Sequence, residues 1–206
     1  MKVLMLNGSS HANGNTFIAL SEIGRQLNEE GIDYEIVQMG NKPLRDCAGC
    51  HGCTESGCIM PDDGVNEFIA KAREADGFVF GTPVYYAHPS GRILSFLDRV
   101  FYSSRSALSF KPAAAVSVAR RAGTAASVDV MNKYFTIASM PVVASNYWNV
   151  VFGNKAGEAK LDEEGLQTMR NLARNMAWLL KCIEKGKESG INSPIPENDI
   201  MTNFIR

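Results

Sequence analysis

The sequence predicts an α/β domain built on a doubly wound parallel sheet of five strands. Two observations carry that reading. Short apolar runs alternate along the chain with longer segments of helical spacing, and those runs lack the polar alternation of a half-exposed strand, so both of their faces are expected to be covered. Size agrees with it. At 206 residues, with 45% hydrophobic and 21% charged side chains, the chain buries a full core in one domain without help from disulfides.

Lys2 to Leu6 is the first strand, followed by a polar loop from Asn7 to Thr16. Phe17, Leu20, Ile23 and Leu27 then repeat at helical spacing until Gly31 ends the helix. Tyr34 to Met39 reads as the second strand, and a cysteine-rich loop fills residues 41–64. Val65, Phe68, Ile69 and Ala72 mark the next helix, and Gly77 to Gly81 the third strand. A proline-containing loop from Thr82 to Ser90 leads into a helix carrying Ile93, Leu94, Leu97, Val100 and Phe101. Ala113 to Val118 is the fourth strand, Thr124 to Ala138 a helix, and Pro141 to Ala144 the expected fifth strand. The last helix, Asp162 to Lys185, places Leu166, Met169, Leu172, Ala173, Met176, Leu179, Leu180 and Ile183 on one face, the signature of core packing. Trp178 is expected to pack with them and Cys182 to be a buried structural thiol. Residues 1–186 form one domain. The tail, 187–206, is polar and ends in Phe204-Ile205-Arg206, expected to lie along the surface or reach a partner subunit.

Composition excludes several classes. With 21 Lys plus Arg against 22 Asp plus Glu, the net charge of -1 lacks the basic footprint of nucleic-acid binding. No run reaches the ~18–20 apolar residues of a membrane span, and the N-terminal apolar stretch is shorter than the ~7–15 residues of a secretory core. A cytoplasmic location is expected. Four of the five cysteines crowd into one loop, which in a reducing compartment argues for metal or redox chemistry.

In doubly wound sheets ligands bind beyond the carboxyl ends of the strands, where strand order reverses. Three loops are expected there. The first offers Ser9, Ser10, His11, Asn13, Asn15 and Thr16 at the start of a helix, a setting that suits a phosphate. It lacks both the G-x-G-x-x-G dinucleotide pattern and the Gly-Lys-Ser/Thr ending of a triphosphate loop, so a phosphomonoester fits best. A plain polar loop, with Asn15 or Thr16 as an ordinary N-cap, is the alternative. The second loop, with Pro83, Val84, Tyr85 and Tyr86, suits a flat ring system, its backbone bonding the ring edge and its aromatic faces the plane; the tyrosines could equally just cover the sheet end. His88 reads as a surface or packing histidine. The third loop brings Arg120, Arg121 and Gly123, whose guanidiniums could stabilise a reduced ring, receive a nucleotide phosphate, or simply be solvated. Tyr147, Trp148 and Asn149 face either a ring or the core.

This constellation resembles a known family. Gly8-Ser9-Ser10-His11-Ala12-Asn13-Gly14-Asn15-Thr16 is similar to the FMN phosphate loop of the flavodoxin-like NADPH-dependent FMN reductases. Gly81-Thr82-Pro83-Val84-Tyr85, followed by Phe96-Leu97-Asp98-Arg99, is similar to their ring loop and next helix. The likeness spans most of residues 1–185, and the cysteine loop resembles that of the iron-sulfur flavoproteins within the group. The resemblance implies a flavodoxin-like fold, FMN on the three loops, and a dimer or tetramer whose neighbouring subunit helps cover the flavin. Ser10-His11 stands where the family often has Pro-Arg, replacing a fixed cation with a group mostly neutral at pH 7.

Cys47-x2-Cys50-x2-Cys53-x4-Cys58 is the most specific chemical feature. Its small spacers, Ala48-Gly49 and His51-Gly52, let the loop curl around a metal, and a 4Fe-4S cluster would use all four thiolates. Zinc ribbons separate their Cys pairs more widely. Free or redox-active thiols fit the same spacing, so cluster and no cluster both stay open.

The expected function is an FMN-dependent oxidoreductase that takes electrons from NAD(P)H and passes them to a quinone, an azo or nitro compound, or a redox protein. An iron-sulfur electron carrier with little NADPH activity is the second reading, and a non-enzymatic thiol or zinc sensor the third.

Overall fold

A computed structural model of the chain describes every residue except 55, 61, 62, 201, 203, 205 and 206. The expected ends of the tail, Ile205 and Arg206, therefore lie outside the described residues.

In chain order the elements are β1 (Lys2–Asn7), α1 (Asn15–Glu29), β2 (Asp33–Gln38), α2 (Val65–Glu74), β3 (Gly77–Tyr85), β4 (His88–Pro89), α3 (Gly91–Ser104), β5 (Ala113–Ala119), α4 (Thr124–Ile137), β6 (Val150–Phe152) and α5 (Glu163–Glu188). The sheet runs β2-β1-β3-β5-β6 with every neighbour parallel. Two-residue β4 turns back antiparallel onto the end of β3. The order reverses between β1 and β3: the first crossover leaves β1 on one side, and the second places β3 on the other.

Alternate residues of each strand enter different cores, as the pleat requires. Leu4, Leu6, Phe78, Phe80, Ala113 and Ala115 face α2, α3 and α4, where Phe68, Phe96, Phe101 and Phe135 join them. Val3, Met5, Val79, Ala114, Val116 and Val118 face α1 and α5. Burying each such large side chain contributes about 1.5–3 kcal/mol, which is why a two-sided apolar strand specifies a sheet covered by helices. Ser90 caps α3 by accepting from the Ile93 N–H, and Asp162 caps α5 by accepting from Gly165.

The fifth strand is not where the sequence suggests. Pro141–Ala144 is extended, but Val142 makes only an isolated bridge to Ala113 at the start of β5. The chain leaves there and returns as Val150–Phe152, pairing Ser117, Val118 and Ala119 at the other end. Pro141 has no N–H to donate, and a three-residue strand is too short to show a pattern. In α5 the expected apolar face is buried at Met169, Leu172, Ala173, Met176 and Leu180, while Trp178 and Cys182 are exposed, against expectation. Both fall on the outer side of the helix.

Candidate functional site

The loop after β1 is held from behind by two carboxamides. Asn7 is fully buried; its Oδ1 accepts from the Ser9 N–H at 3.2 Å, and its Nδ2 donates to the Ala12 carbonyl at 3.4 Å and to Gln38 Oε1. Gln38 Nε2 in turn donates to the Ser9 carbonyl at 2.6 Å. Asn7 and Gln38 are register partners at the ends of β1 and β2, so the pair follows from the strand alignment. Within the loop, Ser9 Oγ accepts from the His11 N–H at 3.1 Å and closes the turn. Gly8 donates its N–H to the Gly81 carbonyl at 2.8 Å, and a Cβ there would lie 2.8 Å from that oxygen and 2.6 Å from Ile93. Only glycine lets the loop sit this close to β3.

Gly14 is the N-cap residue of α1, and no side chain caps that first turn. Asn15 does something the sequence did not suggest. Its Nδ2 donates to the Lys155 carbonyl at 3.0 Å, and its Oδ1 accepts from the N–H groups of Gly157 and Ala159 at 3.1 and 3.2 Å. Its carboxamide is thus committed to the loop after β6, leaving its backbone N–H for a ligand.

These loops enclose a cavity of about 770 Å³ at the carboxyl end of the sheet, beside the strand-order reversal. Ser9, Ser10, His11, Asn13, Asn15 and Thr16 line it from one side, Pro83, Val84 and Tyr85 from another, and Arg120 from the third. Among the described residues, no carboxylate lines it, while His11 and Arg120 do. Three expected residues stand apart. Tyr86 is fully exposed at φ 59°, and Arg121 points no atom into the lining. Gly123, at φ 87°, acts through its backbone: a Cβ would come 2.8 Å from Val84 and 3.0 Å from Ala87, so its lack of one lets the Val84–Ala87 segment settle. Tyr147 and Trp148 contact each other, ring centroids 5.9 Å apart, on the exposed surface, and Asn149 is buried. Gly153, Asn154 and Ala156 complete the lining and were missed, because they follow the strand that was misplaced. The Val-Val-Phe triplet before Gly153 was their signal.

A larger hollow, about 890 Å³, lies along β2 and α2. Its charges answer one another: Glu35 accepts from Lys2 and Lys71, each at 2.5 Å. It offers an incoming anion less than the first cavity does.

The cysteine loop occupies residues 39–64 between β2 and α2, fastened at Thr54 and Gly57 by paired backbone bonds. Cys50 and Cys53 are exposed, Cys47 is half-buried and Cys58 is buried. Among the described residues no three metal-binding side chains already converge on one point. Partial burial, then the thiols of Cys58, Cys50 and Cys47, pushes the Cys53 thiol up. A set of four thiols on small spacers fits an iron-sulfur cluster in donor chemistry. The loop is also tied to α3: Arg92 donates to the Lys42 carbonyl at 2.7 Å, and Ser95 donates to Asp46. Ser90, the N-cap of α3, donates to the Gly8 carbonyl at 3.4 Å, so the helix tied to the cysteine loop also reaches the start of the loop after β1.

The model of the family described as NADPH-dependent FMN reductase matches residues 1–155. The chain belongs to that family. Within it, the chain falls among the iron-sulfur flavoproteins: it is 34% identical over 196 residues to an iron-sulfur flavoprotein of Methanocaldococcus jannaschii, covering 90% of this chain and 100% of that one. An iron-sulfur flavoprotein of Methanosarcina thermophila is 26% identical over 193 residues, covering 91% and 100%. The fold is flavodoxin-like, as the structure of a flavodoxin from the domain Archaea superposes with a TM-score of 0.60 at 14% identity, over 88% of this chain and 99% of that one. No helix among the described residues is long and apolar enough to cross a membrane.

Proposed function

We propose that this member of the FMN reductase family is an FMN-dependent oxidoreductase that takes electrons from NAD(P)H and hands them to a second acceptor, a quinone, an azo or nitro compound or a redox protein. The observation that carries it is the cavity at the strand-order reversal, with an uncapped helix start and no lining carboxylate among the described residues. When bound, FMN supplies the hydride-accepting and electron-releasing chemistry.

The protein's part is placement. Ser9, Ser10, Asn13 and Thr16, with the backbone N–H groups of the first turn of α1, hold the phosphate; Arg120 adds positive charge beside it, and His11 a ring N–H. Pro83, Val84 and Tyr85 hold the ring, and Gly123 keeps that loop in place. Asn15 closes the far wall by gripping the loop after β6. Arg121 and Tyr86, on the rim, are placed to meet the nucleotide or a neighbouring subunit, in keeping with a dimer or tetramer. Cys47, Cys50, Cys53 and Cys58 hold a 4Fe-4S cluster as the outlet for electrons.

The names of the curated relatives favour a second reading, an iron-sulfur electron carrier with little NAD(P)H activity. One preparation separates the two. An anaerobic absorption spectrum with iron and sulfide analysis is expected to show flavin bands and about four irons per chain, and steady-state NADPH turnover then tells reductase from carrier. A protein colourless even after FMN is added back would return the thiol sensor.

A further inference from the structure

Arg99 is 1% exposed, the largest of the fully buried side chains. It belongs to α3, but each of its named partners lies in the cysteine loop. Nε donates to Cys58 Sγ at 3.4 Å, Nη1 to the Arg45 carbonyl at 3.3 Å and to the Asp63 carboxylate, and Nη2 to the Met60 carbonyl at 3.1 Å. Burying a guanidinium is costly unless its donors are satisfied, so this arrangement is a specific one. Cys58, the thiol it meets, is the buried member of the four, and its backbone is fixed from the other side by Asn66, which accepts from the Cys58 N–H at 2.9 Å and donates to its carbonyl at 2.8 Å.

We infer that Arg99 is a positioning residue that presets Cys58 as the anchor of the cysteine loop, the fixed sulfur onto which the more exposed Cys47, Cys50 and Cys53 close. This rests on the iron-sulfur part of the proposed function. The guanidinium does two things there. Its fork clamps the loop at residues 45, 58, 60 and 63, and its N–H and positive charge face the Cys58 sulfur. Hydrogen bonds and charge at cluster sulfurs raise the reduction potential. The inference therefore has an electronic consequence as well as a mechanical one.

The test compares full-length wild type with Arg99→Gln, which removes the charge, and Arg99→Lys, which keeps the charge without the fork. Circular dichroism and FMN affinity report whether each variant folds, and Arg99→Lys serves if Arg99→Gln does not. After anaerobic reconstitution, Arg99→Gln is expected to lose iron to a chelator about tenfold faster. Any cluster it retains should have a lower midpoint potential, which Arg99→Lys restores in part. In the iron-free proteins, alkylation by iodoacetamide followed by peptide mass analysis should find Cys58 slow in wild type and as fast as Cys50 in both variants. Wild-type iron retention, potential and Cys58 alkylation in both variants would overturn the inference. If wild type itself binds no iron, the cluster reading fails, and the alkylation rates alone then decide whether Arg99 anchors Cys58.

Discussion

Gln38 Nε2 donates to the carbonyl oxygen of Ser9 at 2.6 Å, from the end of one strand into the loop that follows its neighbour. The bond fixes the loop from the side away from the cavity, so it tests whether the loop's shape, and not just its composition, binds the ligand. Replacing Gln38 with Leu strands the Ser9 carbonyl and leaves Asn7 Nδ2 only its long bond to the Ala12 carbonyl, at a cost of about 1–2 kcal/mol, roughly tenfold in the FMN dissociation constant. Fluorescence titration with FMN reads it directly, and unchanged affinity would detach the loop from the site.

Asn15 holds the loop after β6 through three hydrogen bonds. Asn15→Asp keeps the two acceptor bonds, loses the donor, and puts a negative charge at the start of α1. FMN binding is expected to fall by more than riboflavin binding does, since only FMN carries the phosphate. Equal losses for both would place the phosphate elsewhere.

Gly123→Ala forces a Cβ into Val84 at a φ of 87°. The left-handed conformation alone costs about 1 kcal/mol for a residue with a Cβ. Urea denaturation should show that loss or more, and FMN affinity should fall with it if the displaced segment holds the ring as proposed.

Arg120 lines the cavity and Arg121 does not. Arg120→Ala is expected to weaken FMN or NADPH binding about tenfold, in the range of a lost charge-assisted bond, with Arg121→Ala close to wild type for FMN. Isothermal titration of the two variants side by side gives the contrast.

Glu35 bridges Lys2 and Lys71, and their donated hydrogen bonds, Lys2 first, hold its carboxyl below the usual range. A folded-state value below the unfolded one gives stability that is present above the unfolded value, about 4.3, and is lost as pH falls through the folded one. Partial exposure keeps the contribution near 0.5–1 kcal/mol. Wild type should exceed Glu35→Gln in urea midpoint at pH 7, with the gap closing below about pH 4.

Most of the fold was legible because its strands are apolar on both faces and its helices carry strong periodicity, as in Phe68, Ile69 and Ala72 against Phe78 and Phe80. The fifth strand was not, since Val142 and Val150 both approach β5 and neither segment is long enough for a pattern to choose between them. That error hid Gly153 and Asn154. That residues 9–16 and Pro83, Val84 and Tyr85 would gather at the carboxyl end of the sheet was legible from residue type and order, although the latter three close β3 itself where the sequence suggested a loop. The supports behind them were not: Gln38 and Arg99 act through partners far along the chain, Asn7 through Gln38 as well as its own loop, and nothing local in the sequence marks a carboxamide or guanidinium for that work.

The most direct measurement compares FMN and riboflavin binding to the flavin-free protein by fluorescence quenching. With the phosphate held by Ser9 to Thr16 at the start of α1, FMN should bind at least about tenfold more tightly than riboflavin, the gain of a charge-assisted phosphate contact. Equal affinity for the two, or no binding of either, would contradict a flavin site in this cavity.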